Sequence, residues 1–195
     1  MLGETPPSIL YDSFRVQQAV KGLAGEIAGW LGSRQSKGVN LVSVLEGARP
    51  FTRDLRRRLE EYLPGLPVHI LEIRIQGTRG SSLLDERRLL EGGGEQGLLP
   101  PYPTLIVDDL VDSGKTLAFL KGRLTGTGEI KTAVLIRKFG EESGPVDFCG
   151  FDLNLDREAL AQKGLADYWL FGYGMDLDGA QRELDHIGWV GIRKE

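Results

Sequence analysis

Residues 104–117 read TLIVDDLVDSGKTL. Four strand-forming residues, Thr104 to Val107, run into two adjacent carboxylates, Asp108 and Asp109. A third carboxylate, Asp112, precedes Ser113-Gly114-Lys115-Thr116, after which apolar residues resume. The order predicts a buried strand, a polar turn and the start of a helix. Amides at a helix start point outward and carry the positive end of the dipole, so the turn suits a phosphate. Ser113 and Thr116 add hydroxyls, and Gly114 lets the backbone approach closely. Adjacent carboxylates at a strand end accept hydrogen bonds from a vicinal diol or hold water around a magnesium ion. A helix cap accounts for one Asp, not for three. A diol close to a terminal phosphate describes a ribose 5-phosphate.

One rival reading is set aside on charge. Ser-Gly-Lys-Thr also ends the triphosphate loop G-x-x-x-x-G-K-[ST]. Five residues before Gly114 that loop requires glycine, and here stands Asp109, which repels a triphosphate.

Around this stretch the chain alternates strand-like and helix-like segments. Asp12 or Ser13 caps a first helix, in which Val16, Val20, Leu23, Ile27, Trp30 and Leu31 recur at helical spacing. LVSVL (41–45) reads as a short buried strand ending at Glu46-Gly47, and Pro50 opens a helix through Leu63. On that helix Asp54 and Arg58, Arg56 and Glu60, and Arg57 and Glu61 are spaced to pair, which makes it a solvated face rather than a nucleic-acid patch. VHILEIRI (68–75) is a strand. Gln76 to Pro103 is a long polar segment of the kind that is functional, and its LLDERRLLE reads equally as helix or strand. Lys115 to Leu124 is a helix, KTAVLIRK a strand, and VDFCGFDL and DYWLFGYG are two further apolar runs. The fold class expected is α/β, a mainly parallel twisted sheet flanked by helices, in one domain spanning residues 1–195.

Composition narrows the function classes. With 195 residues, 41% hydrophobic and 27% charged, the chain has an ordinary globular mix and room for a sizeable core. A net charge of -4 supplies no global attraction for nucleic acid or an anionic membrane. No apolar stretch is long enough to span a bilayer, and MLGETPPSIL lacks the pattern of a signal peptide, so a cytoplasmic protein is expected. The single cysteine, Cys149, reads as a small apolar residue, and neither His69 nor His186 has a metal-like partner in sequence. Trp30 and Trp189 read as core or interface residues.

TLIVDDLVDSGKTL resembles the phosphoribosyl diphosphate (PRPP) signature of the type I phosphoribosyltransferases. LVSVLEGARPFTRDL resembles the diphosphate-loop strand and helix of that family's hypoxanthine–guanine branch. VLIRKF resembles its purine-reading strand, and DYWLFGYGMDLDGAQREL its base-binding segment. The four segments stand in the family's order. The resemblance implies transfer of phosphoribosyl from PRPP to a 6-oxopurine, with magnesium, in purine salvage. It also implies a small hood formed by the terminal segments, and a homo-oligomer, dimer or tetramer.

Carried over by position, the resemblance implies these roles. Asp108 and Asp109 hold the ribose hydroxyls, partly through magnesium, and Asp176 helps place a metal ion. Asp112 is the general base toward the five-membered ring of the purine. Ser113, Gly114, Lys115 and Thr116 cradle the 5′-phosphate. Glu46, Gly47 and Arg182 lie toward the diphosphate. Lys138, Trp169, Leu170 and Asp176 surround the base, Lys138 donating to the exocyclic oxygen and Trp169 stacking on the ring. An ammonium has donors only, so Lys138 favours an oxo over an amino group.

Two positions depart from the family. Glu46 replaces the usual lysine, and a carboxylate beside a diphosphate is unfavourable unless it points away or contacts magnesium. Gly77-Thr78 replaces a Ser-Tyr pair in the mobile loop, with Arg79, Gly80, Ser81 and Ser82 following. These departures keep open a catalytically weak nucleotide- or PRPP-binding regulator on the same fold. An RNA-binding regulator is a third reading, opposed by the charge and the self-neutralised arginine helix.

Overall fold

Strand β5 (Thr104–Val111) is where the opening stretch lies in the computed structural model, which describes residues 5–76, 88–90, 99–124, 127–153 and 157–193. Its neighbours are β2 (Val39–Leu45) and β6 (Ile130–Arg137), both parallel to it. Outward follow β3 (Val68–Gln76) beside β2 and β7 (Phe148–Asp152) beside β6, also parallel. Strand β4 (Arg88–Leu90) closes one edge antiparallel to β3, giving the order β4-β3-β2-β5-β6-β7.

The central strands are apolar in unbroken runs because both faces are covered. Leu41, Leu105, Val107, Ala133 and Leu135 pack with helices α1 (Ser13–Ser33) and α2 (Arg49–Tyr62). Val42, Val44, Ile106 and Val134 face the other way, onto Leu117 and Leu120 of α3 (Lys115–Lys121). Every apolar residue expected on the first helix, Val16 through Leu31, is buried. Asp12 caps it, its carboxylate accepting from the Arg15 amide at 2.8 Å. A fourth helix, α4 (Arg157–Gln162), precedes the last strands.

The hood forms a second sheet. Strands β1 (Ser8–Tyr11), β8 (Leu165–Phe171) and β9 (Ile187–Arg193) run antiparallel in the order β1-β9-β8. The expected α/β class with a terminal hood is therefore what the chain adopts. Tyr11 stacks on Phe151 with ring centroids 3.8 Å apart, joining the hood to β7.

Some local expectations change. Part of LLDERRLLE, Arg88–Leu90, is strand, because it pairs with β3. Helix α3 stops at Lys121 rather than Leu124, with Gly122 at its C-cap, where glycine's backbone entropy disfavours continuation. On α2 the Arg56–Glu60 pair forms at 2.8 Å, but Glu61 pairs with Arg58 rather than Arg57. Asp54 leaves Arg58 altogether, because it faces inward and is 7% exposed. Cys149 is half-buried, its thiol 3.3 Å from the Phe151 carbonyl oxygen, and burial pushes that thiol up.

Asp54 ties α2 to the loop after β8. Its Oδ2 accepts from Gln17 Nε2 at 2.9 Å and from the Tyr173 hydroxyl at 2.8 Å, and its Oδ1 lies 3.1 Å from Arg53 Nε. Burial alone raises the Asp54 carboxyl, but the hydrogen bonds from Gln17, Tyr173 and Arg53 outweigh it and hold it below its usual 3.8. A lowered native value means stability that is complete above pH 3.8 and lost as pH falls through the lower native value. Tyr173→Phe removes one hydrogen bond to this carboxylate and is expected to cost about 1–2 kcal/mol. Urea unfolding at pH 7 and at pH below the lowered native value of Asp54 measures both: the penalty shrinks once Asp54 is protonated in the folded chain, and a penalty unchanged there refutes the assignment.

Candidate active site

The carboxyl ends of β2, β5 and β6 converge under the hood, the usual place for a ligand in an open α/β sheet. A cavity of about 300 Å³ opens there, lined by Glu46, Gly47, Asp109, Leu110, Asp112, Lys138, Tyr168, Trp169, Leu170, Met175, Asp176 and Arg182. Nine of the residues singled out in the sequence thus share one cavity: Glu46, Gly47, Asp109, Asp112, Lys138, Trp169, Leu170, Asp176 and Arg182.

Asp108, Ser113, Gly114, Lys115 and Thr116 are not on its wall. Asp108 is 6% exposed, and its Oδ1 accepts from the Asp109 amide at 3.1 Å. Residues 113–116 form the turn from β5 into α3, just beyond Asp112. Gly114 caps α3 with a left-handed φ of +65°, and a Cβ there would lie 2.5 Å from the Ser143 carbonyl oxygen. The turn is therefore shaped by close backbone contact as well as by its sequence.

Asp109 faces Gly47 so closely that a Cβ on Gly47 would fall 2.0 Å from Asp109 Oδ2. Burial pushes the Asp109 carboxyl up, against a hydrogen bond with Asp108, backbone hydrogen bonds and the charge of Arg182. Asp112 is mostly exposed, at the cavity mouth, with Oδ2 4.0 Å from Lys138 Nζ. Lys138 itself is 4% exposed. Its Nζ lies 2.8 Å from Asp167 Oδ1 and over the rings of Phe139, Tyr168 and Trp169. Trp169 is 43% exposed and forms part of the cavity wall.

Arg182 reaches back to two groups, donating from Nη1 to the Gly174 carbonyl and from Nη2 to Asp176 Oδ1, each at 2.6 Å. The Asp176–Arg182 ion pair is half-buried in the cavity wall. Asp176 also accepts from the Gly179 amide at 2.9 Å.

The departure at Glu46 has a local answer. Leu45 lies opposite Arg74 in the β2–β3 register, and the Arg74 guanidinium is ion-paired with Glu46. Alongside, Arg49 holds Glu72 through two contacts of 3.2 Å. The carboxylate at the mouth is thereby offset by a cation from the next strand. Gly77, Thr78 and residues 79–82 lie outside the described residues.

A magnesium ion fits this donor set in one manner only. Among the described residues no group of three or more His, Cys, Asp or Glu could hold a metal by themselves. Asp109, beside Asp108, and Asp176, paired with Arg182, instead offer single carboxylates at the cavity, which suits an ion that keeps most of its shell from water and phosphate oxygens. His69 packs against Tyr102 with centroids 5.7 Å apart, and His186 Nδ1 lies 3.4 Å from Asp185 Oδ1.

Asp167, Tyr168, Arg74 and the Asp54–Tyr173 pair escape sequence reasoning as site-forming residues. Asp167, Tyr168 and Tyr173 lie with Trp169 in one quoted segment and Asp54 in another, and that placement is the signal present.

No family model matches the chain. It is 29% identical over 165 residues to a hypoxanthine-guanine phosphoribosyltransferase of Dictyostelium discoideum, covering 80% of each chain. It is 26% identical over 191 residues to the Bacillus subtilis protein of the same name, covering 92% of this chain and 91% of that one. The fold superposes on a solved hypoxanthine phosphoribosyltransferase of Trypanosoma cruzi with a TM-score of 0.73 at 27% identity, over 96% of this chain and 97% of the other.

Proposed function

We propose that this chain, a type I phosphoribosyltransferase, transfers the phosphoribosyl group of PRPP to a 6-oxopurine, hypoxanthine or guanine, in purine salvage. The products are a nucleoside monophosphate and diphosphate. One observation carries the reading: a single cavity gathers Asp109, Asp112, Lys138, Trp169, Asp176 and Arg182 with Glu46-Gly47, from separate segments of a chain similar to those relatives over most of its length.

Each residue then has a role. Asp112, at the mouth, takes the proton from the five-membered ring of the purine. Lys138 donates to the exocyclic oxygen, and Trp169 stacks on the base, an interaction of about 1–3 kcal/mol. Leu170 adds apolar wall. Asp108 and Asp109 hold the ribose hydroxyls, and residues 113–116 receive the 5′-phosphate with amides and hydroxyls. Gly47 and Arg182 approach the diphosphate, Arg182 being oriented by Asp176. Asp109 and Asp176, together with substrate, would hold magnesium, which would neutralise the departing diphosphate. The sugar passes through a cation-like state, so the protein mainly positions groups and stabilises charge.

The test is a spectrophotometric assay of the purified chain with magnesium, PRPP and a panel of hypoxanthine, guanine, xanthine and adenine. Turnover of hypoxanthine or guanine is expected. Tight PRPP or nucleotide binding with no turnover would instead establish the regulatory alternative. Lys138→Ala is expected to lower kcat/KM for the oxopurine by about 100-fold, since it removes a charged donor from a buried site. Unchanged base affinity refutes that contact.

The same reading places the protein in the cytoplasm as one domain that assembles into a homo-oligomer. No helix among the described residues is long and apolar enough to cross a membrane. Light scattering on the purified chain tests the assembly.

A further inference from the structure

We propose that Asp167 positions the Lys138 ammonium and thereby sets this site's preference for an oxo over an amino group on the purine. The inference rests on the 6-oxopurine reading above.

A buried ammonium needs partners for three protons, and the direction of the unpartnered ones decides what it recognises. Lys138 stands just past the end of β6, 4% exposed. Asp167 Oδ1 lies 2.8 Å from its Nζ. The same oxygen accepts from the Tyr168 amide at 2.7 Å, so the carboxylate is fixed by its own strand. Tyr168 in turn donates its hydroxyl to the Lys138 carbonyl at 3.0 Å. Lys138 is thus tied to the start of β8 at both its backbone and its ammonium.

Its other neighbours attract without directing. The rings of Phe139, Tyr168 and Trp169 lie 4.8, 4.5 and 5.9 Å from Nζ. Aromatic faces stabilise a cation but leave its rotation free. Asp112 Oδ2, at 4.0 Å, is beyond hydrogen-bonding reach. With one proton on Asp167, the remaining donors are left for the cavity that Lys138 lines. Asp167 is not on that cavity's wall, so it acts through Lys138 and is a positioning residue. Without its charge, the ammonium is drawn toward Asp112, away from the oxo group and onto the group assigned to proton transfer.

Asp167→Asn keeps the shape and the acceptor for the Tyr168 amide while removing the charge. Steady-state kinetics with hypoxanthine, adenine and PRPP read the effect. The KM for hypoxanthine is expected to rise about tenfold or more, as for loss of a charge-assisted hydrogen bond, with the KM for PRPP within about twofold. The kcat/KM ratio of hypoxanthine to adenine is expected to fall by a similar factor, and Asp167→Glu, which restores the charge, to recover most of it. A general loosening of the fold moves both substrates together and leaves that ratio alone. If Asp167→Asn does not fold, Asp167→Ser carries the same expectations. An active wild type whose variant keeps the hypoxanthine KM and the ratio within about twofold overturns the positioning role alone. A wild type that turns over no oxopurine overturns the functional reading and this inference with it.

Discussion

Asp112→Asn reduces turnover by at least about 100-fold while nucleoside monophosphate still binds within about threefold, the range expected when a general base is lost. The geometry separates the two effects. Asp112 projects from the end of β5 at the cavity mouth, with its side chain 57% exposed. It is not itself part of the turn assigned to the 5′-phosphate, and the neighbouring Asp109, proposed to hold the ribose, is left unchanged. Asparagine fills the same space and can still accept a hydrogen bond, but it cannot take a proton. The loss therefore falls on kcat rather than on binding. Lys138, 4.0 Å away, also loses an attracting charge, which leaves it more firmly with Asp167 and preserves base recognition. Single-turnover kinetics with calorimetry of nucleotide binding separates these quantities. Turnover within about threefold of the wild type would remove the base role from Asp112.

Gly174→Ala is expected to lower stability by about 3 kcal/mol or more, with melting falling about 6–12 °C, and to abolish most activity. Gly174 adopts a φ of +101°, which side chains other than glycine rarely tolerate. A Cβ there would also sit 2.0 Å from the Gly47 carbonyl oxygen and 2.9 Å from Pro50 Cδ. The first of these is backbone, so a rotamer change relieves nothing. Gly174 is bonded in both directions to Arg182, its carbonyl accepting at 2.6 Å and its amide donating to the Arg182 carbonyl at 2.9 Å. Pushing this residue away shifts Arg182 and Asp176 on one side and Gly47, packed on Asp109, on the other. Activity is therefore lost at temperatures where the chain is still folded. Thermal unfolding by circular dichroism, with an assay at 15 °C below the midpoint, distinguishes damage to the site from damage to the fold. A melting shift under about 2 °C would show that the loop relaxes around a methyl group without cost.

Legibility in the sequence tracks how local each feature is. Strands β2, β5 and β6 are readable because burial on both faces makes them continuous apolar runs. The β5–α3 junction is readable because its acids, glycine and hydroxyls are consecutive. Strand β9 is obscured, because Gly188 and Gly191 break its apolar run and its pairing partners lie at opposite ends of the chain. Arg57 and Arg58 show the limit of spacing arguments on a helix. Both stand within reach of an acid, and only the facing of the helix decides which one pairs.

The same division runs through the site. Glu46 looks adverse when read with its own loop, and becomes tolerable once Arg74 arrives from the adjacent strand. Asp167 looks like one more surface acid, and acquires a role only when β8 is laid beside the end of β6. Asp54 looks like a partner for Arg58, and turns inward because Gln17 and Tyr173 converge on it. By itself the sequence determined the α/β alternation, the acidic strand end and the turn into the next helix, since these follow from burial period, chain stiffness and residue chemistry over a dozen positions. Only the tertiary structure decided which charges neutralise one another and which donors are left for a ligand, because hydrogen bonds and ion pairs depend on distances between segments far apart in the chain.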